Sequence, residues 1–283
     1  MSLLIHPCSS PNFEPRKDGK ALRYIVLHYT GSEAERSRDY LTRVTPGENQ
    51  TGRVSAHYLV LEDGGIEQYV DENMRAWHAG AGYWQGETDM NSASIGIEMV
   101  NMGINAGCPD YPPEQIAAVI ALCQDIQARH PAILPQNVIG HSDIAPMRKV
   151  DPGPAFPWED LATAGVGMMP DMSYHPHPLP CHPHVRRDSD HKKDSPHGRA
   201  VLIDCQAPAC AGVTEGIAGV TPSFDDLDAG LTRIGYDPSR PLITRIQAFT
   251  MHYDRQNIRA ITGLDRVPDE TKAKIIALAA QMA

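Results

Sequence analysis

Tyr24-Ile25-Val26-Leu27-His28, residues 24–28, is a short apolar run closed by an imidazole, and it reads as a buried central strand that delivers His28 at its C-terminal end. Further along, His57-Tyr58-Leu59-Val60-Leu61 and Ile66-Glu67-Gln68-Tyr69-Val70 flank the turn residues Asp63-Gly64-Gly65, the pattern of a hairpin. Ile95-Gly96-Ile97-Glu98-Met99-Val100 is a third strand candidate. Between Pro113 and His130, Ile116, Val119, Ile120, Cys123 and Ile126 recur at helical spacing, with prolines at the start and Pro131 just past the end. Val138-Ile139-Gly140 reads as a short strand ending at His141. Strands interleaved with helices imply an α/β sandwich.

A chain of 283 residues exceeds the usual size of one domain, so a main domain plus a smaller one is expected. Nearly all the strong periodic signals fall in residues 23–165, so residues 1–167 read as the main domain. Residues 168–222 form a Pro/His-rich linker or insert that carries His175, His177, His182, His184, His191 and His197. Helical patterns return in residues 223–283, at Leu227, Leu231 and Ile234, then Leu242, Ile246 and Phe249, then Ile275, Ile276 and Leu278 after Pro268. They fit a small three-helix domain.

The formal net charge of -10 argues against a protein that coats nucleic acid or an anionic membrane. No apolar run approaches the roughly 20 residues of a membrane-spanning helix. The start, Met1-Ser2-Leu3-Leu4-Ile5-His6, lacks a signal-peptide core, so the expected location is cytoplasmic if that start is native and periplasmic or cell envelope if an export segment has been removed. Six cysteines make no dense framework; Cys205 and Cys210 read as loop cysteines or one small disulfide.

The chemistry gathers on His28, His141 and Asp151, with Lys149 two residues before the last. Two neutral imidazoles and one carboxylate fill three positions around Zn²⁺ and leave the fourth for water, whose pKa the metal lowers towards about 7. Strand alternation puts Ile95, Ile97 and Met99 on one face and Glu98 on the other, where Glu98 can take a proton from the attacking water. Pro146, Pro152 and Pro154 suggest extended chain around Lys149 and Asp151, so both side chains point the same way, one to bind metal and one to stabilise an oxyanion. Asp143 reads as an outer-shell partner or as a turn residue.

Leu27-His28-Tyr29-Thr30, Ser55-Ala56-His57-Tyr58, Trp77-His78-Ala79-Gly80, Ser94-Ile95-Gly96-Ile97-Glu98 and the run Gly140-His141-Ser142-Asp143 through Lys149-Val150-Asp151-Pro152-Gly153 resemble, in order, the zinc-dependent N-acetylmuramoyl-L-alanine amidases, the AmpD/AmiD-like group of the type 2 amidase superfamily. The resemblance covers about residues 10–165, and residues 224–282 more loosely resemble a C-terminal peptidoglycan-binding-like helical domain. It implies a mixed central β-sheet flanked by helices, one zinc ion on His28, His141 and Asp151, Glu98 as general base and Lys149 at the oxyanion. It implies cleavage of the amide between N-acetylmuramic acid and L-alanine in peptidoglycan or muropeptides, hence a bacterial enzyme of cell-wall turnover. Trp77, His78, Ala79, Gly80 and Arg148 are expected to contact substrate, with Trp84 and Asn91 as lesser candidates. His78 could equally be scaffold. The competing class is a non-catalytic peptidoglycan-recognition module, against which the retained Glu98 and Asp151 speak.

Overall fold

The computed structural model describes residues 3–17, 20–45, 52–173 and 221–282. Its strands are β1 (Ile5–Pro7), β2 (Phe13–Pro15), β3 (Tyr24–Tyr29), β4 (Tyr58–Val60), β5 (Ile66–Gln68), β6 (Met74–Ala76), β7 (Ser94–Met99) and β8 (Val138–Gly140). Its helices are α1 (Ala34–Thr42), α2 (Met90–Ala93), α3 (Pro113–Arg129), α4 (His141–Ile144), α5 (Trp158–Thr163), α6 (Phe224–Ile234), α7 (Leu242–Tyr253) and α8 (Asp269–Gln281).

Six strands form a mixed sheet in the order β1-β5-β4-β7-β3-β8, in which only β4 and β5, the expected hairpin, run antiparallel. Strands β2 and β6 form a separate antiparallel pair. Because β3 is central and covered on both faces, all four residues of Tyr24–Leu27 are apolar and fully buried. Ile25 and Leu27 pack with Ile95, Ile97 and the α3 residues Val119 and Cys123. Tyr24 and Val26 turn to the opposite face, into a cluster that includes Leu231, Phe249 and Ile275 of the C-terminal helices.

The three C-terminal helices stand where their periodicity predicts, and α6 begins at a capping box in which Ser223 Oγ accepts from Asp226 N and the Asp226 carboxylate accepts from Ser223 N. The segments Met1–Tyr174 and Pro222–Ala283 form one compact unit. The six insert histidines, Cys205 and Cys210 lie outside the described residues.

Register places the chemistry. Val26 pairs with Gly96 and His28 with Glu98 across β3 and β7, while Leu27 pairs with Gly140 of β8, so His28, Glu98 and His141 meet at the C-terminal edge of three parallel strands. That edge is where open α/β sheets bind ligands. Gly96 leaves room for a ring: a Cβ there would lie 2.4 Å from His78. Gly96→Ala therefore should destabilise the protein by about 1–3 kcal/mol, read from the urea unfolding midpoint, as overpacking does. An unchanged midpoint would contradict the close packing of His78 on β7.

Candidate metal centre and active site

His28 and His141 are almost fully buried and bring their Nδ1 atoms within 2.9 Å of each other. Asp151 Oδ2 lies 3.0 Å from the first and 2.9 Å from the second. Strand β3 carries His28, and α4, which starts directly after β8, carries His141 on its first residue. Asp151 is tied to α4 through its own carbonyl, which accepts from Ser142 N at 2.9 Å.

Donor and acceptor bookkeeping fixes the protons. The Met90 carbonyl can only accept, so the Ser94 hydroxyl donates to it, and Ser94 Oγ accepts from His78 Nε2 at 3.3 Å. His78 Nδ1 is then a lone pair and accepts from His28 Nε2 at 3.0 Å. His141 Nε2 donates to the Ala79 carbonyl at 3.0 Å. Both Nδ1 atoms are left unprotonated, and with Asp151 Oδ2 three electron pairs converge on one point. Burial, followed by the neighbouring His141, pushes the His28 pKa down to about 4, and burial, followed by His28, pushes that of His78 well below its ordinary value. Two neutral imidazoles and a carboxylate, each fixed from behind, are the donor set of a borderline-soft divalent cation, and they fit zinc.

His141 and Asp151 face a cavity of about 480 Å³ whose walls also include Trp77, Glu98 and Lys149. Burial, and then the charge of Asp151, pushes the Glu98 pKa up to about 8, and its buried Oε2 has no hydrogen-bond partner among the described residues. Lys149 pulls the Glu98 pKa the other way, and its ammonium makes no hydrogen bond or ion pair among the described residues. Glu98 is thus an enclosed carboxyl with a free acceptor, and Lys149 a cation with free donors.

The chain between Pro146 and Pro154 is not extended. Arg148 N and Lys149 N both donate to the Ala145 carbonyl in a turn, and the Asp151–Pro152 peptide is cis. Lys149 and Asp151 nevertheless both line the cavity. Of the expected substrate contacts, Trp77 forms cavity wall, with the Arg53 guanidinium 5.0 Å from its ring centre. His78 lines the cavity too, but its ring nitrogens are engaged by His28 and Ser94. Ala79 is buried and offers its carbonyl to His141, while exposed Gly80, at φ 60°, leaves room for Arg148, whose Nη2 would lie 3.1 Å from a Cβ. Arg148 spends its donors on the Ala79 and Ala81 carbonyls, though it also borders the cavity. Trp84 and Asn91 are scaffold: Trp84 is fully buried edge-on to Tyr236, and Asn91 Oδ1 accepts from His78 N and Ala79 N. His57 accepts from Gly96 N at Nδ1 and takes no part in the cluster.

A family model described as N-acetylmuramoyl-L-alanine amidase matches residues 18–154. The chain is 48% identical over 166 residues to the 1,6-anhydro-N-acetylmuramyl-L-alanine amidase AmpD of Escherichia coli (strain K12), a match covering 53% of this chain and 85% of that protein. This chain belongs to the N-acetylmuramoyl-L-alanine amidase family. Within that family it is 43% identical over 162 residues to the amidase AmiD of the same strain, covering 53% of this chain and 55% of AmiD. The matched segment thus spans about half the length of the first curated relatives, 55% of AmiD and 54% of the Enterobacter cloacae AmpD. Among solved structures, AmiD in complex with the substrate anhydro-N-acetylmuramic acid-L-Ala-D-gamma-Glu-L-Lys superposes with a TM-score of 0.67 at 31% identity, covering 94% of this chain and 91% of AmiD. AmpDh3 from Pseudomonas aeruginosa gives the same TM-score and identity, with 94% of both chains covered.

Glu98 offers a pH test. Its carboxyl keeps a proton in the folded, metal-free state that the unfolded chain releases near its ordinary pKa of 4.5, so its contribution to stability is lost as pH rises towards about 8. The unfolding free energy of the metal-free wild type, minus that of Glu98→Gln, should fall through this window. A difference that stays flat would contradict the buried, raised carboxyl.

Proposed function

We propose that this protein is a zinc-dependent amidase that hydrolyses the bond between the lactyl group of N-acetylmuramic acid and L-alanine in peptidoglycan or its muropeptide fragments. The observation that carries the reading is the convergence of His28 Nδ1, His141 Nδ1 and Asp151 Oδ2 beside an unpartnered Glu98 Oε2. The names of its relatives and the substrate bound to AmiD support the choice of bond and extend it to 1,6-anhydro forms.

His28, His141 and Asp151 would hold one zinc ion, which when bound supplies Lewis acidity to the water and the scissile carbonyl. Glu98 removes a proton from the attacking water, for which its free Oε2 and its raised proton affinity suit it, and returns that proton to the departing amine of L-alanine. The Lys149 ammonium, free of protein partners, stabilises the negative charge that builds on the carbonyl oxygen. Trp77 supplies an apolar wall for sugar or peptide. A recognition module that only binds stem peptides would have no use for an enclosed, unpartnered carboxyl on the strand beside His28.

Metal-stripped protein should leave muramoyl-L-alanyl peptides uncut and recover on addition of about one equivalent of zinc. Glu98→Ala should still bind zinc yet lose about 10²–10⁴ in kcat, and Lys149→Met should lose about 10²–10³. Stoichiometric zinc, measurable muropeptide binding and no turnover in the wild type would instead favour the recognition module.

A further inference from the structure

Asp143 is fully buried two residues after His141, and the polar partners of its carboxylate come from two distant parts of the chain. Oδ2 accepts from Gly140 N at 2.8 Å, which closes the first turn of α4 around His141. The same oxygen accepts from His252 Nδ1 at 2.7 Å, and Oδ1 accepts from the Tyr236 hydroxyl at 2.6 Å. Both side-chain donors belong to the C-terminal helical segment.

Each donor is itself held rigidly. The Tyr236 ring packs edge-on to Trp84 with centroids 5.0 Å apart, and it follows Gly235, whose φ of 139° and 2.7 Å clearance to Trp84 exclude a side chain. His252 is stacked between Trp158 at 3.6 Å and Tyr253 at 3.7 Å. Its buried Nε2 has no partner, so the neutral tautomer with its proton on Nδ1 is the one that avoids burying an orphan N–H. Helices α6–α8 could dock through their apolar faces alone. Two buried polar groups of this segment, the Tyr236 hydroxyl and His252 Nδ1, are instead aimed at the carboxylate that caps the four-residue helix carrying a metal-ligand candidate.

We propose that Tyr236 and His252 are positioning residues for the metal site: through Asp143 they hold α4, and with it His141 Nδ1, in line with His28 and Asp151. The C-terminal helices are then a structural part of the catalytic centre. This rests on the metal-site reading above.

The test uses the full chain carrying Tyr236→Phe, His252→Ala, both together, or His252→Asn, whose amide can still donate to Asp143. Zinc affinity is read by chelator competition, the cobalt-substituted protein by its visible spectrum, and kcat and KM on a soluble muramoyl peptide that makes no demand on wall binding. The double variant should bind zinc about 10- to 100-fold more weakly, shift the cobalt bands and lower kcat with KM unchanged, and His252→Asn should recover most of the loss of His252→Ala. If the double variant fails to fold, Tyr236→Phe, which removes one hydroxyl and keeps the ring against Trp84, should show the same changes in smaller measure. Wild-type zinc affinity and cobalt bands in folded variants would overturn the proposal, as would a change confined to KM. A wild type that binds no zinc would overturn the metal-site reading itself.

Discussion

Two imidazole lone pairs and a carboxylate oxygen held within 3.0 Å of one another are the constraint on which the rest of this structure depends. Such a cluster is unfavourable in a buried site unless a cation or a proton enters it. The protein blocks the escape routes. His28 is tied at Nε2 to a chain through His78 and Ser94 that ends on a backbone carbonyl, and His141 is tied at Nε2 to Ala79. Neither ring can turn its proton inward without leaving a buried acceptor bare. Gly96 is part of the same device, since only the missing Cβ lets the His78 ring lie against β7.

Much of this was legible in the sequence, because the residues involved sit on regular elements with clear signals. Tyr24–Leu27 and the short β8 are continuous apolar runs, the hairpin strands flank Asp63-Gly64-Gly65, the stripe on α3 keeps helical spacing, and the ordered motifs resemble a known family. Glu98 was placed correctly opposite Ile97 by alternation alone. The elements that the sequence does not announce are β1, β2 and β6, of three residues each, α2 and α4, of four, and the longer α1 and α5. The turn at Pro146–Arg148 was misread as extended because three prolines say where a helix cannot run and not which turn replaces it.

The supporting layer was largely hidden. His78 was weighed between groove and scaffold, and its role depends on a hydrogen bond to a residue 50 positions away. Asp143 could not be assigned until Tyr236 and His252, 93 and 109 positions on, were seen to reach it. Arg148, Ala79 and Gly80 read as substrate contacts from the motifs that carry them, whereas in the structure Arg148 alone of the three borders the cavity and gives its donors to the Ala79 and Ala81 carbonyls. No local pattern distinguishes a residue that faces substrate from one that holds its neighbour. That distinction lies in contacts between segments, and it needs coordinates.

The most direct measurement is anomalous X-ray diffraction at the zinc edge from crystals of the zinc-loaded protein. The account predicts one strong peak among His28, His141 and Asp151, bonded through Nδ1 of each histidine, with both Nε2 atoms still on their protein partners. No peak at that point in zinc-saturated crystals, or ligation through Nε2 with His78 released, would contradict it.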